Sequence, residues 1–242
     1  MRILVLSDIH ANLTALQAVL EDAGQVDATW CLGDVVGYGP DPNECVAEIK
    51  MRENLICLLG NHDAAALGRI PIETFNTDAR KSIEWIQNVL SKETFVFLSE
   101  RPERVVHEEV TLVHGSPRNP VWEYILDMHS ATQNLEHFAT QLCMVGHTHL
   151  PIAYVSVNGS RTLRWTVPPE GECLEIKTRA ILNPGSVGQP RDHDPRASYA
   201  IFYPEKNGWE IHRVEYDIRA VQKRIKAADL PMRHALRLLE GW

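Results

Sequence analysis

The chain has 242 residues, 44% hydrophobic and 23% charged, an ordinary globular composition with enough apolar residues for a sizeable core. Its net charge of −8 argues against a generic nucleic-acid or anionic-membrane binder, and no apolar run approaches membrane length. Met1 leads straight into a strand pattern without a signal peptide, and the five cysteines show no C-x-x-C spacing, so a cytoplasmic protein with free thiols is expected. No linker, charge block or repeat interrupts the chain, and one domain over residues 1–242 is expected.

The run from Ile3 to Leu6 is unbroken and apolar, the pattern of a strand buried on both faces. It ends in Asp8 and His10. In extended chain residues i and i+2 point to the same side, so the carboxylate and the imidazole are expected to face one point at the strand's C-terminal edge. Asn12 caps a predicted helix running to about Ala23, with Leu13, Leu16, Val19 and Leu20 on its apolar face. Ala28 to Leu32 reads as a second strand, followed by Gly33-Asp34. Asp41-Pro42 opens a second helix as N-cap and first residue. Leu55 to Leu59 is a third buried run, ending in Gly60-Asn61-His62-Asp63, with a looser stretch after it.

A helix from about Asp78 to Leu90 and a shorter one from Lys92 to Leu98 follow. Val105 to His107 and Val110 to Val113 read as a hairpin whose second arm ends in His114-Gly115. Ser116 to Met128 is loop, and a short helix lies near Ser130 to Ala139. Leu142 to Val145 is a strand ending in Gly146-His147-Thr148-His149. Ile152 to Val157 and Leu163 to Val167 pair through a turn at Asn158-Gly159. Cys173 to Ile176 and Arg179 to Leu182 precede the glycine-rich loop Asn183 to Gln189. Ala200 to Tyr203 and Glu210 to Tyr216 are late strands, and helices from Asp217 and Met232 close the chain. Helices alternate with strands early and strands dominate late, which predicts a layered α/β protein with mixed sheets.

Five apolar runs thus end in metal-capable residues: Asp8 with His10, Asp34, Asn61, His114, and His147 with His149. Four of these endings carry a neighbouring glycine, which permits a close backbone approach. Sites on α/β sheets collect beyond the carboxyl ends of strands. Two carboxylates, one carboxamide and four imidazoles exceed one four-coordinate ion and suit two ions that share a carboxylate. Asp34, alone on its strand, is the natural bridge.

D-x-H, G-D, G-N-H-D, H-G and G-H-T-H in this order resemble the calcineurin-like metallophosphoesterases. The segments Gly33 to Pro40 and Asn183 to Gly188 are similar to a bacterial and archaeal phosphodiesterase branch of that family. The resemblance implies two mixed β-sheets packed as a sandwich with helices outside. It implies that Asp8, His10 and His149 hold one ion, that Asn61, His114 and His147 hold the other, and that Asp34 bridges. It implies His62 as the catalytic residue reaching the phosphate and the leaving group, with Asp63 orienting it.

The expected activity is a dinuclear, metal-dependent hydrolysis of small phosphate esters, foremost diesters, by attack of a water-derived hydroxide bridging the ions. Manganese is the expected metal, with iron, nickel, zinc, cobalt and magnesium as alternatives. Arg118 and Arg191 are candidate substrate contacts, because guanidinium groups bind phosphate in a bidentate fashion. The competing readings are a dinucleoside polyphosphate hydrolase, a protein phosphatase, and a non-catalytic protein-binding scaffold of the same fold. Small phosphate esters or nucleotides are the expected partners, with no membrane and no stable nucleic-acid complex. The oligomeric state is open, a homo-oligomer included.

Overall fold

The structure, a computed structural model, describes residues 1–242. β1 (Ile3–Leu6) is buried at every position. Alternation divides its side chains between two cores: Ile3 and Val5 face one, Leu4 and Leu6 the other. α1 (Leu13–Ala23) starts at Asn12, whose side chain accepts the Ala15 N–H. β2 (Ala28–Cys31) and α2 (Pro42–Lys50) follow. Asp41 stands at the N-cap of α2 but makes no capping bond there. Its carboxylate takes the fork of Arg224 instead, at 2.8–2.9 Å, from a residue far along the chain.

β3 (Leu55–Cys57) is shorter than its apolar run. It forms a sheet edge, so Leu55 and Ile56 are only half-buried. α3 (Asn61–Ala66) begins within the Gly60 to Asp63 ending and runs into the stretch expected to be loose. α4 (Thr77–Val89) and α5 (Lys92–Ser99) are capped by Asn76 and Ser91. β4 (Arg104–His107) and β5 (Val110–Val113) form the predicted hairpin. After α6 (Met128–Asn134) come β6 (Leu142–Met144), β7 (Pro151–Ser156), β8 (Leu163–Thr166), β9 (Cys173–Glu175) and β10 (Ala180–Pro184). β11 (Ala197–Tyr203), β12 (Gly208–Val214), α7 (Ile218–Ala227) and α8 (Met232–Glu240) complete the order.

One sheet has the order β3-β2-β1-β11-β12-β9, the other β4-β5-β6-β10-β7-β8. Both are mixed. β1 to β3 run parallel, and β11 lies antiparallel to β1. β5, β6 and β10 run parallel, with β7 antiparallel to β10. The inner faces meet in one core that includes Ile3, Val5, Trp30, Leu112, Met144, Leu182 and Phe202. Each such aliphatic or aromatic side chain contributes about 1.5–3 kcal/mol by leaving water. α1, α2 and α5 cover the outside of the first sheet, and α6 covers the second. The cysteines are all free, and Cys31, Cys45, Cys57 and Cys143 are buried. No helix is long and apolar enough to cross a membrane. The metal-capable residues all follow strands of the two parallel sets, β1, β2, β3, β5 and β6.

Candidate metal centre

The chain is not extended at these residues. β1 ends at Leu6, and Asp8 and His10 then take φ of 54° and 50°. Asp34, His147 and His149 are also left-handed, with φ of 53°, 65° and 62°. The expected same-side placement from strand alternation is therefore corrected: Asp8 and His10 converge through turns. Such a backbone costs on the order of 1 kcal/mol per residue and persists only where its surroundings over-determine it.

Those surroundings are two loops. Asp8, His10 and Ala11 donate their N–H groups to the carbonyls of Gly33, Asp34 and Val35, at 2.9–3.1 Å. From the other side, Val187 and Gly188 donate to the Ser7 and Asp8 carbonyls at 3.0 and 2.9 Å, and Ser186 Oγ donates to Asp8 O at 2.8 Å. The glycine-rich loop thus spends these groups on holding the Asp8 turn and does not offer them to a phosphate. Gly60 is required by close approach, since a Cβ there would fall on the Asp34 carboxylate.

The seven predicted ligands come together, all buried. His10 Nε2 lies 3.1 Å from His149 Nε2, and His149 Nε2 lies 3.3 Å from Asp8 Oδ1. His114 Nε2 lies 3.0 Å from Asn61 Oδ1 and 3.4 Å from Asp34 Oδ2. The same Asp34 oxygen is 3.7 Å from His10 Nε2. Asp34 therefore faces both sets. Donors gathered at about 2.1 Å around one cation sit about 3–3.5 Å from each other. The spacings fit that geometry, and Asp8 Oδ1 has no hydrogen-bond partner in the protein. Asp8, His10 and His149 form one group able to hold an ion, and Asp34, His114 and His147 another.

Backbone carbonyls orient three of the imidazoles. His114 Nδ1 donates to Leu32 O at 3.0 Å, His147 Nε2 donates to Trp122 O at 3.1 Å, and His149 Nδ1 donates to Gln189 O. Each bond fixes the tautomer and turns the other nitrogen's lone pair inward, as second partners of metal-ligating histidines do. Burial pushes His10, His147 and His149 well below the usual imidazole range. Burial alone would raise Asp34 and lower His114. Their mutual attraction outweighs it, holding Asp34 well below the carboxylate range and raising His114 to about 9. Burial raises Asp8 to about 6, against the pull of His114. His10, His147 and His149 are thus neutral near pH 7, while His114 is held charged by the Asp34 carboxylate.

His62, on the first turn of α3, donates its backbone N–H to Asp34 Oδ1 at 2.8 Å. Burial lowers its ring to about 4, so it is neutral near pH 7. Asp63 does not orient that ring. Its carboxylate accepts the N–H groups of Val35, Val36 and Gly60, at 2.9–3.3 Å, and so braces the loop that carries Asp34. The ring's partner is Tyr38, whose hydroxyl lies 3.1 Å from His62 Nε2. Arg191 reaches the same hydroxyl at 3.3 Å. Arg118 is engaged elsewhere, in an exposed ion pair with Glu123 and a 3.1 Å contact to Gln133. Tyr124, 41% exposed, stacks on His147 with ring centroids 3.6 Å apart. Neither Tyr38 nor Tyr124 stands in the five metal motifs of the sequence. The flanking glycines of Gly37-Tyr38-Gly39 were the available signal for Tyr38.

A model of the calcineurin-like phosphoesterase superfamily domain matches residues 1–207. A metallophosphoesterase from Sphaerobacter thermophilus superposes with a TM-score of 0.92 at 46% identity, covering 100% of this chain and 99% of that one. An uncharacterised protein of Methanocaldococcus jannaschii is 38% identical over 95% of this chain and 93% of its own. The phosphodiesterase YfcE of Escherichia coli is 28% identical over 83% of this chain and 86% of its own. The chain belongs to the calcineurin-like phosphoesterase superfamily and is a metal-dependent phosphoesterase.

Proposed function

We propose that this phosphoesterase is a hydrolase of small phosphate diesters that works with two divalent cations, manganese foremost. Asp8, His10 and His149 hold one cation, Asn61, His114 and His147 hold the other, and Asp34 bridges them. The observation that carries this reading is Asp34 Oδ2, 3.7 Å from His10 Nε2 and 3.4 Å from His114 Nε2. One carboxylate facing two donor sets is what a shared pair of ions requires. When bound, the two cations supply an activated water for in-line attack and neutralise charge on the phosphate.

The protein's own residues do the rest. The carbonyls of Leu32, Trp122 and Gln189 keep three imidazoles aimed inward. Asp63 fixes the loop that carries Asp34. His62 is the neutral donor to the phosphate or the departing oxygen, and it needs no charge of its own to stabilise the charge that develops there. Arg191 is the substrate-contacting arginine, since it stands beside Tyr38 and His62 at the edge of the centre. The core running from Ile3 to Ile211 supports one domain over residues 1–242.

The test is a panel of phosphate monoesters, diesters and nucleotide anhydrides offered to purified protein reconstituted with each metal. Diester hydrolysis that is fastest with manganese, at two ions per chain by elemental analysis, is the expected result. Hydrolysis confined to monoesters or anhydrides would overturn the diester reading. One ion per chain in active protein would overturn the dinuclear reading.

A further inference from the structure

We propose that Tyr38 is a positioning residue that fixes the tautomer of His62, with Arg191 setting the direction of the hydrogen bonds. The kinetic part of this proposal rests on the phosphoesterase reading above; the spectroscopic part does not.

A guanidinium group can only donate. Arg191 Nη2 lies 3.3 Å from Tyr38 Oη, so the phenol oxygen accepts there. The phenol keeps one proton to place, and its other neighbour is His62 Nε2 at 3.1 Å. Nε2 accepts it, so the neutral ring carries its own proton on Nδ1. Nδ1 is the nitrogen of His62 with no partner in the protein, on a side chain that is 4% exposed. The opposite direction would have both neighbours donating to the phenol oxygen. That would leave two buried groups unpaired, the phenol proton and the bare Nδ1, where the first arrangement leaves only the Nδ1 proton.

The tyrosine is held rigidly enough for this task. Its ring lies 4.5 Å from the His10 ring, 4.4 Å from His62 and 4.7 Å from His234, centroid to centroid. Its backbone is left-handed, with φ of 47°, and Gly37 beside it has no room for a side chain between His10 and His62. Asp63 is spent on backbone N–H groups and makes no hydrogen bond to the ring. The outcome is an imidazole with a free N–H that donates a hydrogen bond to the departing oxygen while charge builds there. The oxygen takes its proton from solvent, so the imidazole is unchanged at the end.

The experiment uses histidine labelled with nitrogen-15 in the full chain loaded with diamagnetic zinc. The His62 signals are assigned by their loss in His62→Ala. Wild type is expected to show a protonated Nδ1 and a bare Nε2. Tyr38→Phe should move the proton to Nε2 or mix the two forms, and Arg191→Met should mix them as well. With the manganese enzyme, Tyr38→Phe should lower kcat about tenfold on alkyl diesters, as loss of one hydrogen bond allows. It should cause a smaller loss on nitrophenyl diesters, whose leaving group needs less help, and leave KM and metal content near wild type. A protonated Nε2 in wild type, or an unchanged tautomer in both variants, would overturn the proposal. If no diester is hydrolysed even by wild type, the functional reading falls, and the nitrogen signals still decide the tautomer.

Discussion

Asp34 faces both donor sets, and its substitution tells a shared centre from two independent sites. In Asp34→Asn, one oxygen that faces both donor sets becomes part of a neutral amide. Affinity for both cations should fall together, by roughly 100-fold or more. Calorimetric titration with manganese reads this directly, and loss of only one binding event would argue against the bridge. His62 behaves differently. It supplies none of the seven ligands, so His62→Ala should retain both cations and lose about 10²–10⁴ in kcat. Normal turnover with both cations bound would remove His62 from the mechanism. The arginines also divide. Arg191→Ala should impair hydrolysis, whereas Arg118→Ala should leave kcat/KM near wild type, because Arg118 already spends its guanidinium on Glu123 and Gln133. At this scale the sequence was readable where chemistry resides in a side chain: all seven candidate ligands stood in the motifs, and the fold brings them together. It was silent on the carbonyls of Leu32, Trp122 and Gln189, which every residue type carries alike. It misassigned the partner of His62, because adjacency made Asp63 the obvious candidate and a residue from the Gly37–Gly39 turn fills the place.

Among elements, the loop from Gly185 to Gln189 shows how one segment sets the shape of another. Gly188 presses against the Ile9 carbonyl so closely that a Cβ would overlap it. Gly188→Ala must push that turn away, loosening the bonds to Ser7 and Asp8. The expected outcome is a drop of about tenfold or more in metal affinity, with circular dichroism still showing the native sheets and helices. Unchanged manganese affinity in this variant would mean that the Asp8 turn holds its shape unaided. The long periodic helices were legible, since α1, α4 and α5 carry their caps in the sequence at Asn12, Asn76 and Ser91. α3 was not. Its six residues, Asn61 to Ala66, are all buried, so no polar face marks a helical period. β3 stops early for a reason external to itself: only β2 pairs with it, and an edge position does not reveal itself in an apolar run.

For the whole molecule, the C-terminal helices tie the fold to the centre through His234. This side chain is 2% exposed, packs on the Tyr38 ring and bonds Asp78 O through Nε2 at 3.2 Å. Burial lowers it from its usual value to about 4, so the folded protein binds less proton than the unfolded chain between about 6.5 and 4. A depressed histidine therefore contributes full stability above about pH 6.5 and loses it as pH falls towards 4. Denaturant unfolding of wild type and His234→Gln across that window should show a steeper loss in wild type. Parallel curves would show that His234 does not couple folding to protons. The two-sheet architecture was legible from the order of strands and helices. The tie between α7 and α2, through Arg224 and Asp41, joins residues whose local patterns carry no trace of each other.

β1 lies between β2 and β11 in its sheet, and the Asp8 turn that follows it is clasped by Ser186, 178 residues further on. In the order of synthesis, the first strand waits unpaired on one side until nearly the whole chain has emerged. Until then its free edge invites pairing with other chains. Long-range closures of this kind form slowly, and the Asp8 side of the centre takes shape only after this one. With the proposed ligands, uptake of a metal at Asp8 and His10 would therefore be a clock for the end of folding, and a chain stalled before residue 186 would lack the clasp that shapes that pocket.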